Sequence, residues 1–257
     1  MSGGIYMAAS GALAYEKKLQ IISNNLANAN TVGYKMDRAQ FNVIEQNNLP
    51  ASLASNTPEM STSQAQSFWF QFNSYTDFTS GSMKNTGNDF DLALIGEGFF
   101  CIQKPEGVHY TRKGDFTLDA EGTLVTRNGH PVIGDSGEIT VKYAEDPRKV
   151  KAFEVDLEGN VLVNGQQVGS LRIVKFSEPD KLMKMGDTLF KPADNSPAPQ
   201  EVEDAKVSQG FVELSNVDVV KMMTEMIAVL RGYETYQKVM RSADEAYTKS
   251  INDVGQT

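Results

Sequence analysis

Residues 5–26, IYMAASGALAYEKKLQIISNNL, and residues 219–251, VVKMMTEMIAVLRGYETYQKVMRSADEAYTKSI, decide how the rest of the chain is read. In the first, Ile5, Ala8, Ala12, Tyr15, Leu19, Ile22 and Leu26 follow alternating steps of three and four residues, which sets them along one face of a helix. In the second, Val219, Met223, Met226, Leu230, Tyr233, Gln237, Met240, Asp244, Tyr247 and Ile251 repeat the same step, with two polar members. A lone helix has nothing to bury such a face against, so the two ends must pack on each other or on neighbouring subunits. The long middle carries strand and turn patterns instead. The expected class is α+β, with long N- and C-terminal coiled-coil helices flanking a central all-β domain.

At roughly 1.5 Å per residue, a first helix from about Gly4 to Asn28 is roughly 37 Å long and a last helix reaching about Asn252 is roughly 55 Å. The longer helix therefore offers seam that the shorter cannot cover within one subunit. A hairpin of the two helices inside one chain is the simpler alternative. The length mismatch and the small residues Ala8, Ala9, Gly11 and Ala12, which permit close approach, favour assembly between chains. Met222, Met223, Met226 and Met240 make the surface adaptable to non-identical neighbours.

Outward from these ends, four segments are expected: a helix over 1–32, an extended polar and aromatic connector over 33–80, a β domain over 81–214 and a helix over 215–257. The first helix stops where Asn28, Asn30, Thr31 and Gly33 favour leaving it. The connector has only Glu45 and Glu59 as charges between Asn42 and Thr76, yet holds Phe68, Trp69, Phe70 and Phe72. That aromatic surface is either β-domain core or an arm lying on the next subunit, and its uncharged flanks favour the arm. In the β region, short runs such as 92–95, 99–103 and 171–176 alternate with Gly, Asn and Asp turns. A faint repeat joins Asp119-Ala120-Glu121-Gly122 and Asn128-Gly129 to Asp156-Leu157-Glu158-Gly159 and Asn164-Gly165, which is hairpin chemistry. Ser215 or Asn216 is the expected N-cap of the last helix, with Asp218 in its first turn.

Composition excludes several functions. The 257 residues are 40% hydrophobic and 22% charged, which is globular, and a formal charge of -9 without a basic cluster argues against nucleic acid as a partner. No apolar run is long enough to span a bilayer, so no membrane insertion is expected. The first lysine, Lys17, follows the apolar stretch, unlike the basic start of a signal peptide, and cleavage after Ala12-Leu13-Ala14 would discard half of a stripe that continues to Leu26. Cys101, the single cysteine, lies in an apolar run and reads as a buried small hydrophobe.

Catalytic chemistry is missing too. Gly96-Glu97-Gly98 leads into a second strand-like run where a dinucleotide loop needs a helix N-terminus. His109 and His130 have no partners at ligand spacing, so a surface or turn role is expected. The pairs Asp119/Glu121 and Asp156/Glu158 invite a wall-acting hydrolase as the rival class, but their Gly-containing turns point to turn chemistry. No catalytic residue, cofactor or metal site is expected.

Residues 23–35, SNNLANANTVGYK, resemble the N-terminal signature of the flagellar rod and hook protein family. Residues 86–100, TGNDFDLALIGEGFF, with YTRKGDF at 110–116, are similar to the start of that family's β domain. SNVD at 215–218, with Met226-Ile227 and Arg231-Gly232-Tyr233-Glu234, resembles its C-terminal helix. Asp89-Phe90 departs from the proline common after the asparagine, and Gly232 stands where alanine is frequent. The modest length argues against a hook protein, and YETYQKVM at 233–240 resembles proximal-rod more than distal-rod members, the latter or a minor hook-region subunit being the runner-up.

The resemblance implies a structural subunit of the flagellar rod, the drive shaft crossing the periplasm. It implies export through the flagellar type III apparatus without signal-peptide cleavage, and partners that are copies of itself and neighbouring proximal- and distal-rod proteins. In the family the terminal helices order on assembly and build the inner tube wall, with the β domain outside. The expected assembly residues are Ile5, Ala8, Ala12, Tyr15, Leu19, Ile22 and Leu26, then Val219, Met223, Met226, Leu230, Tyr233, Met240, Tyr247 and Ile251. Asn24, Asn25 and Asn28 join them, as helix-stop residues that also bond neighbours.

Overall fold

The computed structural model describes residues 2–45, 68–141, 153–202 and 205–254, without the side chains of 2–6, 42–45, 68–71 and 250–254. It comprises an N-terminal helix, a β-rich middle and a C-terminal helix, and it divides into two compact units. One unit contains α1 (Ser2–Ala27), β1 (Asp37–Glu45), β2 (Phe68–Thr76) and α2 (Val219–Val254). The other contains residues 28–36 and 77–217.

In the helical unit α1 ends where the Asn25 amide turns to the backbone of Asp37, donating to its carbonyl at 2.8 Å and accepting from its N–H at 2.9 Å. This substitutes for the helix continuation that the stripe alone would permit. β1 and β2 form an antiparallel pair in which Phe41 faces Phe72 and Val43 faces Phe70. The segment expected as an extended connector is thus a hairpin over its described arms. Composition hid this, because the two strands pair across a long interval and carry few strand-forming β-branched residues. The Phe41 and Phe72 rings meet at 5.6 Å, whereas the side chains of Phe68, Trp69 and Phe70 lie outside the described ones.

α2 starts later than expected. Asp218 is its N-cap: the carboxylate accepts the Lys221 N–H at 3.1 Å and the carbonyl accepts the Met222 N–H at 2.9 Å. Ser215 and Asn216 bond within the β unit instead, so helical geometry cannot begin at either.

The β unit has β3 (Met83–Asn85), β4 (Leu92–Ile95), β5 (Phe99–Lys104), β6 (Gly107–Thr111), β7 (Phe116–Leu118), β8 (Leu124–Thr126), β9 (Ile133–Gly134) and β10 (Gly137–Glu138). It continues with β11 (Phe153–Val155), β12 (Asn160–Val163), β13 (Gln166–Ser170), β14 (Ile173–Lys175), β15 (Leu182–Lys184) and β16 (Leu189–Pro192), then β17 (Gln200–Glu201), β18 (Lys206–Gln209) and β19 (Phe211–Glu213). The largest sheet has the order β15-β16-β6-β5-β14-β17. The two-residue period of β5 places Phe100 and Ile102 in one apolar cluster, with Leu92, Leu124 and Val132, and Phe99 and Cys101 in another, with Tyr110 and Phe190. Both faces of this strand are buried. Burial pushes the Cys101 thiol up to about 12.

His109 corrects an expectation: it is fully buried opposite Ile102, with Nδ1 donating to the Gly107 carbonyl at 3.0 Å. Strand pairing, not any motif, encloses it. The repeated turns are matched in detail. The Asp119 carboxylate accepts the Thr123 N–H at 2.7 Å, the Asp156 carboxylate accepts the Asn160 N–H at 2.8 Å, and the glycine carbonyls at 122 and 159 accept the N–H groups of Val141 and Leu171. These aspartates shape hairpins.

One buried cluster ties three distant stretches of the β unit. The Lys35 ammonium donates to Glu213 Oε1 at 2.6 Å and to the Thr79 carbonyl at 2.7 Å, and the same Oε1 accepts the Gly81 N–H at 2.8 Å. Gly33 donates its N–H to the Glu213 carbonyl at 2.8 Å, while Asn216 accepts the Met36 N–H at 2.8 Å and donates to the Asp77 carbonyl at 2.8 Å. Arg112 adds a second buried cation, 3.6 Å from Glu213 Oε2, and donates to the Gly96 carbonyl at 2.6 Å. Burial holds the Lys35 ammonium below its usual range, with Glu213 opposing the shift. Gly33, at φ 68, is irreplaceable on space alone, because a Cβ there would lie 2.4 Å from the Lys113 nitrogen.

Candidate functional site

α1 and α2 lie antiparallel against each other, as three contacts along their length show. Gly11 faces Tyr236, Tyr15 faces Gly232, and the Lys18 ammonium reaches the Glu225 carboxylate at 2.8 Å, so rising positions on α1 meet falling ones on α2. Within this unit Ala8, Ala12, Ala14 and Ile22 of α1 and Met222 and Val229 of α2 are buried. A Cβ at Gly11 would lie 2.5 Å from the Tyr236 ring and one at Gly232 only 2.1 Å from the Tyr15 ring, and the two rings touch at 5.4 Å between centroids. Each tyrosine therefore fills a hole that a glycine leaves in the facing helix.

This pairing covers one face of α2 and leaves its neighbour open. Val219, Val220, Met223, Ile227 and Leu230 are exposed by 36%, 75%, 50%, 54% and 40%, an apolar stripe three turns long. Beside it runs an open groove lined by Leu19, Ala27, Met226 and Leu230 together with Glu16, Gln20, Ser23 and Asn24. Its shape and lining suit an amphipathic helix better than a small polar ligand.

The expected assembly residues thus fall into groups. Ala8, Ala12 and Ile22 are buried inside the chain, and Tyr15 packs on Gly232. Leu26, Tyr233, Met240 and Tyr247 are half-buried. Asn25 is 1% exposed with both amide atoms bonded to Asp37, so an intersubunit bond is not open to it, and Asn28 accepts the Thr31 hydroxyl at 3.2 Å. Val219, Met223 and Leu230 are exposed, whereas Leu19, Asn24 and Met226 line the groove. The side chains of Ile5 and Ile251 are outside the described ones.

Sequence reasoning missed Val229 and put Met222 on the surface offered to neighbours, whereas both are buried members of α2; the seam they share runs through Glu225 and Gly232 and looks broken. It also missed Ile227 and Val220, which the heptad step passes over. Among the described residues no group of His, Cys, Asp and Glu could hold a metal, and no helix is long and apolar enough to cross a membrane.

Residues 5–35 match the family model for the flagella basal body rod protein, residues 93–163 that for the flagellar hook protein FlgE/F/G D1 domain, and residues 208–253 that for the flagellar basal body rod FlgEFG protein C-terminal region. The chain is 35% identical to the flagellar basal-body rod protein FlgF of Caulobacter vibrioides, over 99% of both chains. It belongs to the flagellar basal-body rod protein family. It is also 31% identical to FlgG of Bacillus subtilis, over 98% of this chain and 99% of the relative, and 30% identical to the hook-basal body complex protein FlhO of that organism, over 99% of each. The chain is accordingly a structural subunit of the flagellar basal-body rod and not an enzyme, which disposes of the wall-hydrolase alternative. In each pair that invited that reading, the aspartate carboxylate is the turn-forming one already described.

Proposed function

We propose that this subunit is of the FlgF type, belongs to the proximal part of the rod, and enters the tube wall through the open face of its helix pair. The observation that carries the reading is the exposed stripe of Val219, Val220, Met223, Ile227 and Leu230 beside an apolar groove. So much contiguous apolar surface on a water-facing helix costs free energy until a neighbour covers it. The heptad spacing of 219, 223, 226 and 230 suits a helix from another subunit, so the coiled-coil geometry read from the sequence belongs to that contact. The neighbours are copies of this chain and the adjoining proximal- and distal-rod proteins. Delivery is by the flagellar type III export apparatus without signal-peptide cleavage, and the assembled position is the rod where it crosses the periplasm.

FlgG is the alternative, because a FlgG relative matches across the same length at nearly the same identity. Locating a tagged copy in isolated basal bodies decides between them: label confined to the membrane-proximal rod supports the FlgF reading, and label along the distal rod overturns it.

A further inference from the structure

α2 offers α1 two seams, and α1 occupies the less apolar one. The occupied seam is Met222, Glu225, Val229, Gly232 and Tyr236. The neighbouring one, Val219, Met223, Met226, Leu230 and Tyr233, lies about 100° around the helix, one residue on. Apolar burial alone selects the second, where Met226 stands for Glu225, Leu230 for Val229 and Tyr233 for Gly232. The structure shows the opposite, with Met223 50% and Leu230 40% exposed. Something other than hydrophobicity places α1.

The reciprocal sockets supply it. Tyr15 needs a hole in α2, and Gly232 is the only glycine in that helix; Tyr236 needs one in α1, and Gly11 lies opposite. On the more apolar seam Tyr15 would meet Leu230 or Tyr233, neither of which leaves room for a ring. The motif is the same on both helices, glycine followed four residues later by tyrosine, and Lys18 with Glu225 adds a directional pair at 2.8 Å.

We propose that these two Gly-x-x-x-Tyr modules choose which face of α2 is taken by α1, and thereby reserve the more apolar face of the same helix for a neighbouring subunit. The reserving role rests on the assembly reading above; the choice of face does not. Small-for-large complementarity here works against a competing arrangement that burial would otherwise favour.

The test uses the full chain, in which the only native thiol, Cys101, is buried and raised to about 12, so an introduced cysteine is read without background. Met222→Cys and Met223→Cys are each labelled with a maleimide, in the otherwise unchanged chain and in a Tyr15→Ala/Tyr236→Ala background. In the unchanged chain position 223 should label at least about tenfold faster than 222, which needs a local opening. Without the two rings the order should reverse, as α1 moves to the apolar seam. An unreversed order in the double-alanine chain overturns the proposal. So does rapid labelling of both positions there with loss of helix by circular dichroism, since the rings would then hold the pair without choosing its face. Equal rapid labelling in the unchanged chain overturns it as well. Because the free chain is labelled, each of these results leaves the assembly reading standing, and a failure of assembly leaves this one standing.

Discussion

In the β unit Leu92, Phe100, Leu124 and Val132 are wholly enclosed, whereas along α2 Val220 is 75% and Ile227 54% exposed. The first unit closes a core, and its exposed large apolar residues, such as Ile95, Leu157 and Met183, lie on different strands and turns; the second leaves a run of them along one face of a single helix. The difference is one of partners rather than composition, since both regions are comparably rich in large apolar residues. A sheet buried on both faces satisfies its backbone and its side chains together. A helix pair leaves each member with flanks that only further helices can cover. The unfinished unit is where a subunit of a polymer should be unfinished.

The strongest way to break this comparison is Leu230→Asp. If that face is covered in the rod, the assembled state loses roughly 1.5–3 kcal/mol of leucine burial and several more for an unpaired carboxylate. The free chain, where the position is already 40% exposed, should lose less, about 1 kcal/mol, and stay folded. Cells complemented with the variant should export it and fail to swim, with basal bodies lacking it. Normal swimming would show that the face is not an assembly surface, and an unstable free chain would show that it is internal core.

Next in size is Glu213→Ala in the finished unit. It removes the acceptor shared by Lys35 and Gly81 and leaves Lys35 and Arg112 buried together, which should cost about 3–5 kcal/mol in urea unfolding of the free chain. A loss below about 1 kcal/mol would mean that the cluster is hydrated and that the β unit is less closed than it looks. Smaller again is Asp218→Ala, which takes the cap from α2 and should cost about 1 kcal/mol of helix stability, read as faster amide exchange in the first turn. Protection there unchanged would show that the turn is held by packing alone.

The smallest effect is on acid stability. Burial works to raise the Asp156 pKa, but hydrogen bonds from the Asn160 side chain and from the backbone of Asn160, Glu158 and Gly159 outweigh it and leave the carboxyl below its ordinary 3.8. A depressed carboxyl stabilises the fold above its unfolded pKa and loses that contribution as pH falls through the folded value. Stability should therefore dip slightly below about pH 4 in the native chain, and Asp156→Asn should lack that part of the dip. Identical urea midpoints for the two chains between pH 3 and 5 would remove the turn from the account of acid stability.

How much of this was legible beforehand differs by element. Both terminal helices, the β character between them, the buried Cys101 and the paired Asp-x-Glu-Gly turns follow from period, composition and local turn chemistry, all readable over a few residues. The β1–β2 pair joins strands far apart in the chain, and the burial of His109, opposite Ile102 in the short β5–β6 hairpin, is set by packing that no local pattern marks. The same holds for the work of Lys35, Glu213 and Asn216, which the motifs at 31–35 and 215–218 mark without explaining, because a buried ion pair linking positions 178 residues apart leaves no local pattern.

For the helix pair, the sequence by itself determined that α2 carries apolar seam along its length and that α1 carries a matching one. Heptad spacing needs only the geometry of a helix. Which seam α1 would take was decided by tertiary structure alone. Hydrophobic periodicity ranks faces by burial, and the ranking favoured Met223 and Leu230. Packing ranks them by shape, and two tyrosine rings fit only where Gly232 and Gly11 make room, so the face that hydrophobicity ranked first is the one left outward.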